Sequence, residues 1–356
     1  MHIAPRRFFL VFASSASVLL ASCTGAVDGD GDPSGEGEGE AAEGEGEAGE
    51  GEGEGGEGEG EAGEGEGEGE GEGEGEGEGE GEGPAPSVGC GRPAPDDEDW
   101  SLQHQGRTRS FIVKVPSAYD AHQPTPVVLN FHGRNQTADQ QALLTRMSAA
   151  ADAEGMIVVY PRGVDLTFNG GACCGSAMDQ GVDDVGFTSA MIDALRADLC
   201  IDADRVYATG LSNGGFMAHH LACRLSDRIT AIAAVAGPNG TADCAPSRPV
   251  PVLHLHGTAD QIVPYAGFAG FVSVPGTISA WRERNGCSDD DVVTTDGDVR
   301  CEAAVGCDDD ATVELCTITG GGHQWPGGIS IPGLGYNTDD IDATDHILAF
   351  FARHHL

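Results

Sequence analysis

The chain has 356 residues and carries 59 acidic against 18 basic side chains, a formal net charge of −41. At that charge nucleic acid is excluded as an expected partner. The excess is localised: residues 35 to 83 hold 22 Glu and no basic residue, whereas the sequence beyond it has 34 acids against 16 bases and a length suited to one domain.

In chain order, Arg6-Arg7 before the apolar run Phe8 to Ala13 and a small-residue end predict an export signal over 1–22, too short for a membrane span. Leu20-Ala21-Ser22-Cys23 resembles the bacterial lipobox, in which cleavage precedes a cysteine that receives lipid. The resemblance implies lipidation of Cys23, and Thr24 in place of Asp after it directs the expectation to the outer membrane or cell surface. An ordinary cleavage site with a secreted product is the alternative. Arg6-Arg7-Phe8-Phe9-Leu10 is also similar to a twin-arginine signal. Residues 23–89 are expected to form a tether, because alternating Gly and Glu cannot bury apolar area and repels itself. Fifty such residues span roughly 40 Å.

From residue 90 onward the elements alternate. Strands are expected at Ser110 to Val115, Pro126 to Phe131, Met156 to Tyr160, Arg205 to Thr209, Ile229 to Val235, Val250 to Leu255 and Val313 to Thr319. Helices are expected at Ala138 to Ala153, Val185 to Leu199 with Asp184 as cap, Asn213 to Leu225, Ile278 to Asn285 and Ile341 to His354. The pattern predicts an α/β fold: a mostly parallel central sheet with helices on both faces.

Thr209-Gly210-Leu211-Ser212-Asn213-Gly214-Gly215, directly behind the strand at Arg205, has the form of a nucleophile elbow and nominates Ser212 as a catalytic serine. A serine hydroxyl needs a base to take its proton, so two partners are required. They follow in the order Ser, Asp, His: Asp260 just beyond a strand end, then His323 after three glycines. An oxyanion needs two N–H donors. They are assigned to the backbones of Asn213 and of Arg134, in the His132-Gly133-Arg134-Asn135 turn. Gln136 and Trp325 are expected to touch substrate, Trp325 through its ring. Asp183 and Asp184 are expected to be structural, as helix cap and loop anchor.

The region 90–356 resembles the bacterial esterases that include polyhydroxybutyrate depolymerases and feruloyl esterases. The carriers are Tyr160-Pro161-Arg162-Gly163, Cys173-Cys174-Gly175, Val182-Asp183-Asp184-Val185-Gly186-Phe187, the elbow, His256-Gly257-Thr258-Ala259-Asp260 and Gly321-Gly322-His323-Gln324-Trp325-Pro326-Gly327. The resemblance implies an α/β-hydrolase fold and a serine carboxylic ester hydrolase acting through an acyl-enzyme, with the triad on Ser212, Asp260 and His323. Relatives often carry a small residue or Cys after His-Gly, so Arg134 sets this acyl pocket apart. No metal or organic cofactor is required. The sequence lacks the Cys-x-x-Cys or His spacing of a zinc site.

Of 11 cysteines, ten remain after Cys23, an even number that in an exported protein reads as disulfides. Pairs are expected among Cys287, Cys301, Cys307 and Cys316 and between Cys223 and Cys244, while Cys173 and Cys174 are expected to have separate partners. The expected substrates are feruloyl or acetyl esters of polysaccharides, or small esters, and the expected state is a monomer. A polyester depolymerase is the alternative, and a serine peptidase or a non-catalytic surface binding protein are alternatives of other classes.

Overall fold

The computed structural model describes residues 87–96, 98–268 and 270–356. The expected signal, the Cys23 lipidation site and residues 23–86 of the expected tether lie outside the described residues, whereas its last residues are packed on the domain, with Ser87 Oγ donating to Arg196 O and Leu199 O, both at 2.7 Å, and Gly89 N–H to Arg196 O at 2.8 Å. Among the described residues no helix is long and apolar enough to cross a membrane.

The elements in order are β1 (Asp99–His104), β2 (Arg107–Lys114), β3 (Thr125–Phe131), α1 (Ala138–Thr145), α2 (Met147–Ala153), β4 (Ile157–Pro161), α3 (Ser176–Asp179), α4 (Asp184–Asp198), β5 (Ile201–Leu211) and α5 (Asn213–Arg224). They continue with β6 (Ala231–Val235), β7 (Val252–Gly257), α6 (Val274–Arg284), β8 (Asp291–Asp296), β9 (Val299–Ala304), β10 (Val313–Ile318) and α7 (Ala343–Phe351). One ten-stranded sheet has the order β1-β2-β4-β3-β5-β6-β7-β10-β9-β8. The six strands from β4 to β10 run parallel. Antiparallel strands close both edges. This is the mostly parallel sheet flanked by helices that the alternating pattern predicts, and it is consistent with the α/β-hydrolase fold that the resemblance implies.

Both sheet faces are covered, so the central strands are continuous apolar runs. Successive side chains alternate between faces. Val127, Leu129 and Phe131 pack with Phe187, Met191 and Leu195 of α4 and with Met217 and Leu221 of α5. Val128, Tyr160 and Tyr207 pack on the opposite face with Met147 of α2 and with Ile347 and Phe351 of α7. In α4, Phe187, Met191 and Leu195 recur every four residues and place one stripe on the sheet.

Three expectations need correction. The helix expected over Ala138 to Ala153 is two helices, broken at Arg146 with φ 52°. The carbonyls of Leu144 and Thr145 accept instead from Ile329 N–H and from the Thr344 hydroxyl. The cap of α4 is Asp183, whose carboxylate accepts from Gly186 N–H at 2.8 Å, while Asp184 is the first helical residue. Cys173 and Cys174 are bonded to each other. The other eight described cysteines pair as Cys90–Cys200, Cys223–Cys244, Cys287–Cys307 and Cys301–Cys316, which leaves the adjacent pair no other partner.

Candidate active site

Parallel strands gather functional groups at their carboxyl ends. Here Ser212 follows β5, Asp260 follows β7, His323 follows β10, and the His132-Gly133-Arg134 turn follows β3. The four segments therefore meet the same end of the sheet.

Ser212 has φ 55° and ψ −116°, a conformation that costs a non-glycine residue about 1–3 kcal/mol. It is held by Ser212 N–H to Val235 O at 2.8 Å and by Phe216 N–H to Ser212 O at 3.0 Å. The flanking glycines are required by space. A Cβ on Gly210 would stand 2.4 Å from Phe131 O, and one on Gly214 2.1 Å from the same oxygen. Asn213 opens α5, so its N–H belongs to the first turn, which has no acceptor within the helix. Its carboxamide locks the loop above: Oδ1 accepts from Phe168 N–H at 2.7 Å and Nδ2 donates to Phe168 O at 2.9 Å.

Asp260 and His323 are joined, His323 Nδ1 lying 2.7 Å from Asp260 Oδ2 with both side chains buried. Asp260 Oδ1 accepts from the N–H groups of Ile262 and Val263 at 2.8 and 2.9 Å. Burial works to raise the Asp260 carboxyl, but hydrogen bonds and charge from His256 and His323 overcome it and hold the group far below the usual carboxylate range. The glycines before His323 serve close packing of backbones. A Cβ on Gly257 would meet Gly321 O at 2.2 Å, and one on Gly322 would meet Leu334 O at 2.2 Å. His323 N–H donates to Leu334 O at 2.7 Å, which ties the loop down.

In the turn after β3, Gly133 N–H donates to Gln136 Oε1 at 2.9 Å and Asn135 N–H donates to Leu166 O at 3.0 Å, with Arg134 between them. Gln136, expected at the substrate, braces this turn. His132 Nδ1–H is directed to Gly133 O at 2.8 Å, and Nε2 accepts from Gly163 N–H at 3.1 Å. Burial pushes this imidazole down to about 4, so it is a neutral clamp between the turn and the Tyr160-Pro161-Arg162-Gly163 motif. Trp325, expected against a substrate ring, is fully buried, and its indole N–H donates to Thr344 Oγ1 at 3.0 Å. The residue is core, since a ring without exposure has no face for a ligand.

Sequence reasoning missed two features. The first is the Asn213–Phe168 clamp, for which the sequence carries no signal. The second is the histidine row behind Asp260, visible in outline as His254-Leu255-His256, whose period of two puts both rings on one strand face. Elsewhere, Cys301, Glu314, Cys316 and His346 bring metal-type donor atoms within 4.8 Å of one another. The two sulfurs are bonded to each other, and Glu314 is engaged by His346 at 2.7 Å and Arg353 at 3.3 Å.

Fold and strained elbow define the class, an α/β hydrolase. A family profile described as "Esterase PHB depolymerase" matches residues 110–267. Feruloyl esterase B of Piromyces equi is 33% identical over 233 residues, covering 60% of this chain and 42% of that protein. A bifunctional acetylxylan esterase/xylanase of Neocallimastix patriciarum is 34% identical over 174 residues, covering 48% of this chain and 24% of that protein. The chain thus spans less than half the length of each of these two relatives. NocK of Nocardia uniformis subsp. tsuyamanensis, which carries an esterase designation, is 31% identical over 276 residues, covering 68% of this chain and 77% of that protein. The solved acetyl xylan esterase from Aspergillus awamori superposes with a TM-score of 0.50 at 14% identity, covering 68% of this chain and 94% of the other, a likeness of fold. The chain belongs to the α/β-hydrolase superfamily and is related to the feruloyl esterase and PHB-depolymerase-like families.

Proposed function

We propose that the protein is an exported serine esterase in which Ser212, His323 and Asp260 form the catalytic triad. Asp260 fixes the His323 ring through the 2.7 Å bond at Nδ1, leaving Nε2 to take the Ser212 proton. The serine oxygen attacks the ester carbonyl, the tetrahedral oxyanion is received by the backbone N–H groups of Asn213 and Arg134, and His323 returns the proton to the departing alcohol. Water, activated by the same imidazole, then releases the acid. Each oxyanion donor is expected to contribute about 3–4 kcal/mol to the barrier reduction. The observation that carries the proposal is the buried Asp260–His323 pair, at the sheet end where Ser212 is held at φ 55°.

The preferred substrates are feruloyl or acetyl-type esters of polysaccharides, or small esters, in line with the names borne by the Piromyces and Neocallimastix relatives. A second assignment, polyester depolymerase, is favoured by the description of the matching family profile. Lipidation at Cys23 would place the enzyme on the outer membrane or cell surface, with the residues between Cys23 and Ser87 as spacer. The test is hydrolysis of p-nitrophenyl acetate, methyl ferulate and hydroxybutyrate oligomers by the full chain, with Ser212→Ala alongside. Serine-dependent turnover of the first two supports the esterase assignment, preference for the oligomers moves it to depolymerase, and turnover that survives Ser212→Ala removes the triad.

A further inference from the structure

Behind Asp260 runs an unbroken row of buried polar rings. Trp281 Nε1 lies 3.0 Å from His219 Nδ1, His219 Nε2 lies 3.3 Å from His254 Nδ1, and His254 Nε2 lies 3.0 Å from His256 Nδ1. His256 Nε2 then faces two acceptors, Val263 O at 2.8 Å and Asp260 Oδ2 at 3.4 Å. Neighbouring ring planes lie within 15–29° of parallel, with centres 5.3–6.0 Å apart. All four side chains are at most 1% exposed. They come from α5, β7 and α6, so the row crosses three elements to reach the turn that carries Asp260.

The two ends fix every proton between them. An indole N–H can only donate, so His219 Nδ1 must accept and the ring carries its proton on Nε2. That N–H donates to His254 Nδ1, which places the His254 proton on Nε2, and the same step repeats at His256. At the far end a carbonyl and a carboxylate can only accept. One neutral tautomer set satisfies the whole row, and an added proton anywhere would set two N–H groups against each other. Burial, with the charge of Arg284 adding to it, pushes His219 down to about 3, and burial with the neighbouring histidines lowers His254 well below the ordinary imidazole value. The groups facing the row are Arg284 at His219, the Tyr265 ring, whose centre is 5.9 Å from that of His256 at 82° between planes, and the Asp260–His323 pair.

We propose that His256 is a positioning residue for the Asp260–His323 pair, and that Trp281, His219 and His254 lock it in the Nε2–H tautomer. This rests on Asp260 being the triad acid. The shorter bond of His256, to Val263 O, closes a ring with the Val263 N–H bond to Asp260 Oδ1 and so fixes the carboxylate's turn. The longer one places the positive end of an N–H dipole beside Oδ2, the atom that also holds His323. In the opposite tautomer a lone pair would face that carboxylate and the Val263 carbonyl, and the turn would open.

The test begins with long-range ¹⁵N–¹H correlation spectra of the histidine-labelled full chain. At about pH 8, His219, His254 and His256 should each give the Nε2–H pattern, and His219 and His254 should keep it down to about pH 6, where an ordinary histidine titrates. An Nδ1–H or charged pattern at any of the three under those conditions overturns the proposal. In kinetics, His256→Leu should lower kcat by about 10- to 100-fold with little change in KM, as small misplacement of reacting groups does. His256→Gln, whose amide N–H reaches toward the position of Nε2, should recover part of the loss. Trp281→Phe should leave His219 as a mixture of tautomers, with a smaller fall in kcat. Wild-type kcat in a folded His256→Leu protein overturns the positioning role. Ser212→Ala in the same assay separates the two claims: if it abolishes turnover while His256→Leu does not alter it, the row fails and the triad stands.

Discussion

Replacing Arg109 by Met should destabilise the protein by about 3–5 kcal/mol, the usual cost of leaving one member of a buried ion pair without the other. Arg109 Nη2 lies 2.6 Å from Asp184 Oδ1 with side chains 3% and 1% exposed, and its guanidinium stands 3.9 Å from the centre of the Phe187 ring. Asp184 Oδ2 accepts from Asn169 N–H at 2.8 Å, next to the Phe168 backbone that clamps Asn213. Methionine keeps much of the packing against Phe187 but leaves the carboxylate with one main-chain donor. Burial already raises the Asp184 carboxyl above its ordinary value against the opposing charge of Arg109, so removing that charge raises it further. A raised carboxyl binds its proton in the folded state where the unfolded chain has released it, so stability falls as pH rises through the interval between the two values. The deficit of Arg109→Met should therefore be largest near pH 7 and shrink toward pH 5. Adding Asp184→Asn, which removes the charge and keeps an acceptor for Asn169, should recover a substantial part of it. Urea denaturation with disulfides intact, followed by tryptophan fluorescence, measures each quantity. A variant within about 0.5 kcal/mol of wild type at pH 7, or a deficit that grows on acidification, would refute the reasoning.

Trp325→Phe should cost about 1–2 kcal/mol through the lost bond to Thr344 and the smaller ring, and leave KM for aryl and alkyl esters unaltered; a KM change confined to aryl esters would return Trp325 to the substrate site. Asp260 has a depressed carboxyl, so its stabilisation is complete above the unfolded value of 3.8 and is lost as pH falls below it toward the folded value. The stability gap between wild type and Asp260→Asn should accordingly stay level down to about pH 5 and narrow below about pH 4. A gap that persists unchanged into strong acid would mean that the Asp260 charge is not what the two histidines stabilise.

The parts legible in the sequence were those where one physical demand dominates. Buried parallel strands must be apolar throughout, and β3, β4, β5, β6 and β7 were found within a few residues of their ends. The elbow was legible because Gly210 and Gly214 have no space for a side chain. The missed strands, β1, β8 and β9, lie at or next to the sheet edges. β8 is exposed at every position, and its hairpin with β9 turns at Gly297, φ 52°, so its marks were the short β-branched run Val292 to Thr295 and the Asp-Gly pair, without a buried face. β1 alternates the exposed polar residues Asp99, Ser101 and Gln103 with half-buried ones at the opposite edge and, among the described residues, pairs only with β2. Asp183 and Asp184 were both visible as structural, yet adjacent carboxylates do not reveal which one caps and which one meets a buried arginine. Trp325 and Gln136 looked available for substrate because the motifs around them are functional, whereas tertiary packing gives one to the core and the other to a turn. The tautomer row depends on three elements far apart in the chain, and no local pattern encodes it.

The most direct test of the central claim is mass spectrometry of the full chain quenched during turnover of a p-nitrophenyl ester, with the peptide containing Ser212 located after digestion. The account predicts an added acyl mass on that peptide at Ser212, absent in Ser212→Ala and accumulating no faster than background in His323→Ala. Turnover by wild type with the acyl mass on another residue, or with Ser212→Ala hydrolysing the ester at the wild-type rate, would contradict it.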